Sequence, residues 1–87
     1  MKVLRKPIEV IAWFDIEGNP APLRFRYEDE NEGICVIKVN KVLKKDMDRF
    51  AGNKMLRYTC ETWKGGTGRI FELRYEIDSL KWYLYKM

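Results

Sequence analysis

The chain contains no histidine. A Ser–His or Cys–His nucleophile is therefore excluded, and so is any zinc site built on imidazole. Cysteine is almost as scarce. Cys35 and Cys60 stand alone, with no C-x-x-C spacing, and two thiolates cannot complete a tetrahedral metal site. Both fall at apolar-patterned positions, where a reduced, buried thiol is expected. Hydroxyls are few: Ser79, Thr59, Thr62 and Thr67. Ser79 follows Asp78 and precedes Leu80-Lys81, an ordinary turn setting with no base to activate it. No apolar run is long enough for a transmembrane helix, and the charged Met1–Lys6 stretch introduces no signal-peptide core. The expectation is a reduced, cytoplasmic chain without cofactor or metal.

Alternation, by contrast, is abundant. Met55–Trp63, Arg69–Ile77 and Leu80–Met87 each alternate apolar and polar residues, separated by Lys64-Gly65-Gly66-Thr67-Gly68 and Asp78-Ser79. Period-two patterning broken by turn residues reads as an antiparallel meander with one buried face. Upstream, Ile8–Phe14 is nearly continuous apolar, and Leu23, Phe25 and Tyr27 alternate with Arg24, Arg26 and Glu28. Ile34–Val39 reads as a third strand. Near Asn40 the alternation slips, which a β-bulge would accommodate. Asp46–Ala51 fits a single helical turn, with Asp46 as N-cap and Gly52 as stop, or an ordered loop.

The 87 residues make one small domain, and 12 aromatics are available to fill a thin core. The fold class expected is all-β: five or six antiparallel strands in a strongly bent sheet or a small, partly open SH3-like barrel. The expected core is Val10, Phe25, Ile37, Leu56, Tyr58, Cys60, Phe71, Leu73, Tyr75, Ile77, Leu80, Trp82 and Leu84.

Charge is uneven. Between Lys38 and Arg57 lie seven basic residues and two acids, a local +5 against +4 for the whole chain. Such a segment suits either a solvated sheet edge or a polyanion contact. Trp63, Tyr83 and Tyr85 fall on the outward register beside Arg57, Arg74 and Lys81. Rings next to cations are what sequence-tolerant single-strand binding uses. The candidate contact residues are Lys41, Lys44, Lys45, Arg49, Arg57, Trp63, Lys64, Arg69, Tyr83 and Tyr85. Glu61, Glu72 and Glu76 read as hydrated, charge-paired carboxylates on that outward face, which argues against glycosidase chemistry. Lys64–Arg69 lacks the helix and the Gly-Lys-Ser/Thr ending of a phosphate loop, and reads as a hairpin.

Pro7-Ile8-Glu9-Val10, Gly18-Asn19-Pro20 with Leu23-Arg24-Phe25, Val36–Leu43, Phe71–Tyr75 and Lys81–Leu84 resemble a small bacterial all-β family, a domain of unknown function. Its actinobacterial relatives lie beside genes for Y-family DNA polymerase-like proteins. The resemblance implies a nucleic-acid context and carries over no functional residues. The reading from sequence is a non-enzymatic binding module with nucleic acid as the favoured ligand. The alternative is protein interaction or homodimerisation through an exposed edge strand and an outward aromatic strip.

Overall fold

A computed structural model describes the backbone of residues 1–87 and every side chain except that of Phe50. The chain is all-β. Seven strands run β1 (Val3–Phe14), β2 (Pro20–Asp29), β3 (Gly33–Lys38), β4 (Lys41–Phe50), β5 (Asn53–Lys64), β6 (Thr67–Glu76) and β7 (Lys81–Lys86). They form one open antiparallel sheet in the order β3-β2-β1-β7-β6-β5-β4. Among the described residues no helix is long and apolar enough to cross a membrane.

The count is seven rather than five or six, because Asp46–Phe50 forms neither the helical turn nor the ordered loop that the sequence left open, but continues a strand. Residues 41–50 are strand β4, paired with β5 from Lys41↔Glu61 to Phe50↔Asn53. The turn between them is Ala51-Gly52, with φ of 52° and 80°. Two consecutive positive φ values make the tight hairpin connection whose twist matches that of the strands. Gly65-Gly66 repeats the device between Lys64 and Thr67, with φ of 62° and 78°. The irregularity expected near Asn40 is a two-residue break, Val39-Asn40, followed by a register shift between Val42 and Lys44.

β1 is shared by two parts of the sheet. Its first half pairs with β7 through Ile8↔Trp82, and its second half pairs with β2 from Glu9↔Arg26. At the opposite side, β3 and β4 are the two edges of the sheet, yet only Val39 and Asn40 separate them in the chain. The sheet must therefore curl until its edges meet at that corner. No ladder closes it into the expected barrel: β3 pairs only with β2, and β4 only with β5.

Curling buries one face. Phe25, Leu56, Tyr58, Cys60, Phe71, Leu73, Tyr75, Trp82 and Leu84 form the core, with Val10, Ile37 and Ile77 packed against it. Phe25 and Phe71 lie 5.3 Å apart, and Tyr75 and Trp82 4.7 Å, tilted as aromatic pairs prefer. The Tyr58 hydroxyl donates to the Pro20 carbonyl at 2.5 Å, so the phenol is satisfied in the interior. Leu80 departs from expectation. It is 71% exposed, at a φ of 61° in the β6–β7 turn, one residue before the alternation of β7 begins.

Candidate functional site

The ten residues singled out from sequence divide into three groups. The first lies on the convex face over β4–β7, and that face is internally neutralised. Arg57 Nε donates to Asp46 at 2.8 Å, and Arg74 Nε donates to Glu72 at 2.8 Å, with Asp48 within 3.9 Å of Arg57 and 3.5 Å of Arg74. The Arg57 guanidinium holds the Asp46 carboxyl below its ordinary range, and Asp46 in turn raises Arg57. Arg74 covers the Tyr85 ring at 3.5 Å. Tyr83 stands half-buried across from Arg74 on β7. Glu72 is thus not hydrated as expected. It is 7% exposed, screened by the long side chains of neighbouring strands. Arg57, Tyr83 and Tyr85 belong to this balanced layer.

The second group is the β4 edge. Lys41, Lys44, Lys45 and Arg49 all lie on β4, an outermost strand. Lys44 stands 3.7 Å from Asp46, and Lys45 lies over the Tyr58 ring at 5.6 Å. Charged residues, lysine above all, on an exposed edge discourage pairing with another chain. The basic segment therefore has a structural reason to exist.

The third group, Trp63, Lys64 and Arg69, converges on a groove that the sequence reading did not locate. It has a volume of about 670 Å³ and lies between the β3 edge and the tip of the β5–β6 hairpin. It is the unzipped seam of the curled sheet. At the corner, Val39 N–H donates to Leu23 C=O at 2.9 Å and Asn40 N–H donates to Glu61 C=O at 3.0 Å. Consecutive residues thus hydrogen-bond to opposite sides. Main-chain groups alternate sides along a strand. Cys35 and Ile37 therefore face β2, as Val39 does, while Ile34, Val36 and Lys38 turn their N–H and C=O groups into the groove. Across it, Thr62–Lys64 runs past the start of β4 and has no strand on that side.

Asn40 fixes the opposite wall. Its side-chain oxygen accepts the Trp63 main-chain N–H at 2.8 Å and contacts the Thr62 hydroxyl at 3.4 Å. The Trp63 indole N–H donates to Glu61 at 2.6 Å, which sets the ring plane, while the side chain remains 56% exposed. The floor is Tyr27, Cys35, Ile37 and Met87. Burial pushes the Tyr27 phenol up, and Arg69 opposes that shift, so Arg69 faces the floor. Lys38, Lys64 and Arg69 meet a single lining acid, Glu32.

The two edges differ in protection. β4 carries Lys41, Lys44, Lys45 and Arg49, whereas β3 presents Ile34-Cys35-Val36-Ile37 before its one cation, Lys38. Ile34 is 62% exposed and Val36 59%. On β2 they stand across from Glu28 and Arg26, and the exposed Ile11 lies beyond Arg24 on β1. Comparison of the chain with family models, with curated proteins and with solved structures finds no match.

Proposed function

We propose that this chain is a non-enzymatic binding module that captures an extended peptide segment by strand addition in the β3–β5 seam. One observation carries the reading: Ile34, Val36 and Lys38 offer main-chain donors and acceptors on an edge whose one charged side chain is the terminal Lys38, while the other edge carries four cations. In strand addition, main-chain hydrogen bonds give affinity and side-chain pockets give specificity. A library of capped heptapeptides tests it. Binders are expected to protect the half-buried Cys35 from a maleimide and to lose affinity to the Val36→Pro variant. Proline removes the groove-facing N–H and leaves the β2 ladder intact, since that N–H points away from β2. Binders indifferent to Val36→Pro would refute the reading.

A second reading is single-stranded nucleic acid, favoured by the oriented, exposed Trp63 ring beside Lys38, Lys64 and Arg69 and by the resemblance noted above. Stacking contributes roughly 1–3 kcal/mol per base, and phosphate contacts weaken steeply with salt. Titration of a thymidine 12-mer at low salt against the parent chain and Trp63→Ala decides it. Binding that survives Val36→Pro and is lost in Trp63→Ala would establish this alternative.

A further inference from the structure

We infer that the segment taken by the seam is acidic. This rests on the strand-addition reading and adds the chemistry of the partner. Three cations line the groove, Lys38, Lys64 and Arg69, against the single carboxylate of Glu32, an excess of two positive charges (3 − 1). None of the three has a carboxylate within ion-pair distance among the described residues. Close ion pairs form elsewhere, between Arg26 and Glu9, Lys44 and Asp46, Arg57 and Asp46, and Arg74 and Glu72, so what marks the groove is the local charge excess rather than the absence of pairing.

Lys38 also faces Arg24 directly across β2–β3, with Ile11 beyond Arg24 on β1. Like charges opposite one another on one sheet face are destabilising. A strand carrying carboxylates at the level of Lys38 would relieve that repulsion. Lys64 and Arg69 lie on the opposite wall, in the inward register with Thr62 and Thr67. They would meet the side chains that such a strand turns toward Tyr27 and Ile37. The edge supplies direction-independent main-chain bonds, the floor takes an apolar side chain, and the cations select acids over bases.

The probe is a capped heptapeptide of alternating valine and glutamate, compared with its valine–glutamine and valine–lysine counterparts. Binding is read by calorimetry and by the rate of Cys35 modification. The glutamate peptide is expected to bind about tenfold tighter than the glutamine peptide, from carboxylates that meet either Lys38 and Arg24 on the outer face or Lys64 and Arg69 on the inner one, since an alternating strand presents them to one face. The lysine peptide is expected to bind more weakly than either. The double variant Lys38→Glu, Arg69→Glu, both exposed positions, should reverse the order. N-methylation of alternate peptide nitrogens should abolish binding whatever the charge, which checks strand addition without altering the protein. If the lysine peptide binds as well as the glutamate peptide while N-methylation still abolishes binding, the acidic preference is refuted and strand addition stands. If none of the peptides binds, or N-methylation has no effect, strand addition itself fails.

Discussion

Asn40 is the residue on which the seam hinges, and Asn40→Ala perturbs it selectively. The substitution keeps the main-chain bond from Asn40 N–H to Glu61 C=O at 3.0 Å. It deletes the acceptor that holds the Trp63 N–H at 2.8 Å and the weaker contact to Thr62 at 3.4 Å. A net hydrogen bond contributes about 0.5–1.5 kcal/mol. Trp63 is exposed, so its freed N–H can be rehydrated, and the loss should stay near 1 kcal/mol. For a chain of this size that lowers Tm by roughly 4–8 °C. The Trp63 amide is expected to exchange with deuterium about fivefold faster, the factor that 1 kcal/mol represents, through local opening of this wall, while core amides such as that of Leu73 follow the global stability. Asn40→Asp, which retains an acceptor oxygen, should keep the Trp63 amide protected. Unchanged exchange at Trp63 in Asn40→Ala would refute the idea that this side chain clamps the β5 wall.

Glu72→Ala should cost about 2–3 kcal/mol in denaturant melts. It strips the 2.8 Å partner from Arg74, whose side chain is 13% exposed and keeps only one carboxylate, Asp48 at 3.5 Å, beside the Tyr85 ring. Ala51→Gly should stabilise by up to about 1 kcal/mol, since alanine at a φ of 52° carries left-handed strain that glycine lacks, offset in part by unfolded-state entropy. Burial pushes the Cys60 thiol up to about 12 from an ordinary 9.0, and Tyr58 up to about 12 from 10.0. The unfolded chain therefore releases protons above pH 9 that the folded chain keeps, so Tm should fall as pH rises from about 9 toward 12. Asp46 acts in the opposite window. Arg57 lowers it in the folded state, so its contribution is present above its ordinary 3.8 and lost on further acidification, as a melt series from pH 5 to 2 would record.

The core was legible because alternation from Met55 onward is nearly unbroken, and each turn among these strands is marked by glycine or by Asp-Ser. Tyr58, Cys60, Phe71, Leu73 and Leu84 accordingly lie on one buried face. β4 was not legible. An edge strand rich in lysine and aspartate lacks apolar alternation, and Asp46 with Gly52 copies the signals of a helical turn. Ala51-Gly52 is also a weak hairpin signal beside Asn-Gly. Leu80 continues the alternating pattern, yet sits in the turn. Glu72 reads as outward, and it is, but period-two logic says nothing of long neighbours that cover an outward carboxylate. For the site, Trp63, Lys64 and Arg69 were visible as a hairpin tip bearing cations. Their partners Lys38, Val36 and Tyr27 come from strands distant in the chain, brought near only by the curl of the sheet, which local patterning does not encode.

The central claim is that β3 leaves alternate amides unpaired in an open seam. Amide hydrogen exchange of the free chain, resolved residue by residue, tests it most directly. Ile34, Val36 and Lys38 should exchange rapidly while Cys35, Ile37 and Val39 are protected, and a bound strand should slow the first set alone. Equal protection of both sets in the free chain would mean that the edge is already occupied, and would contradict the account.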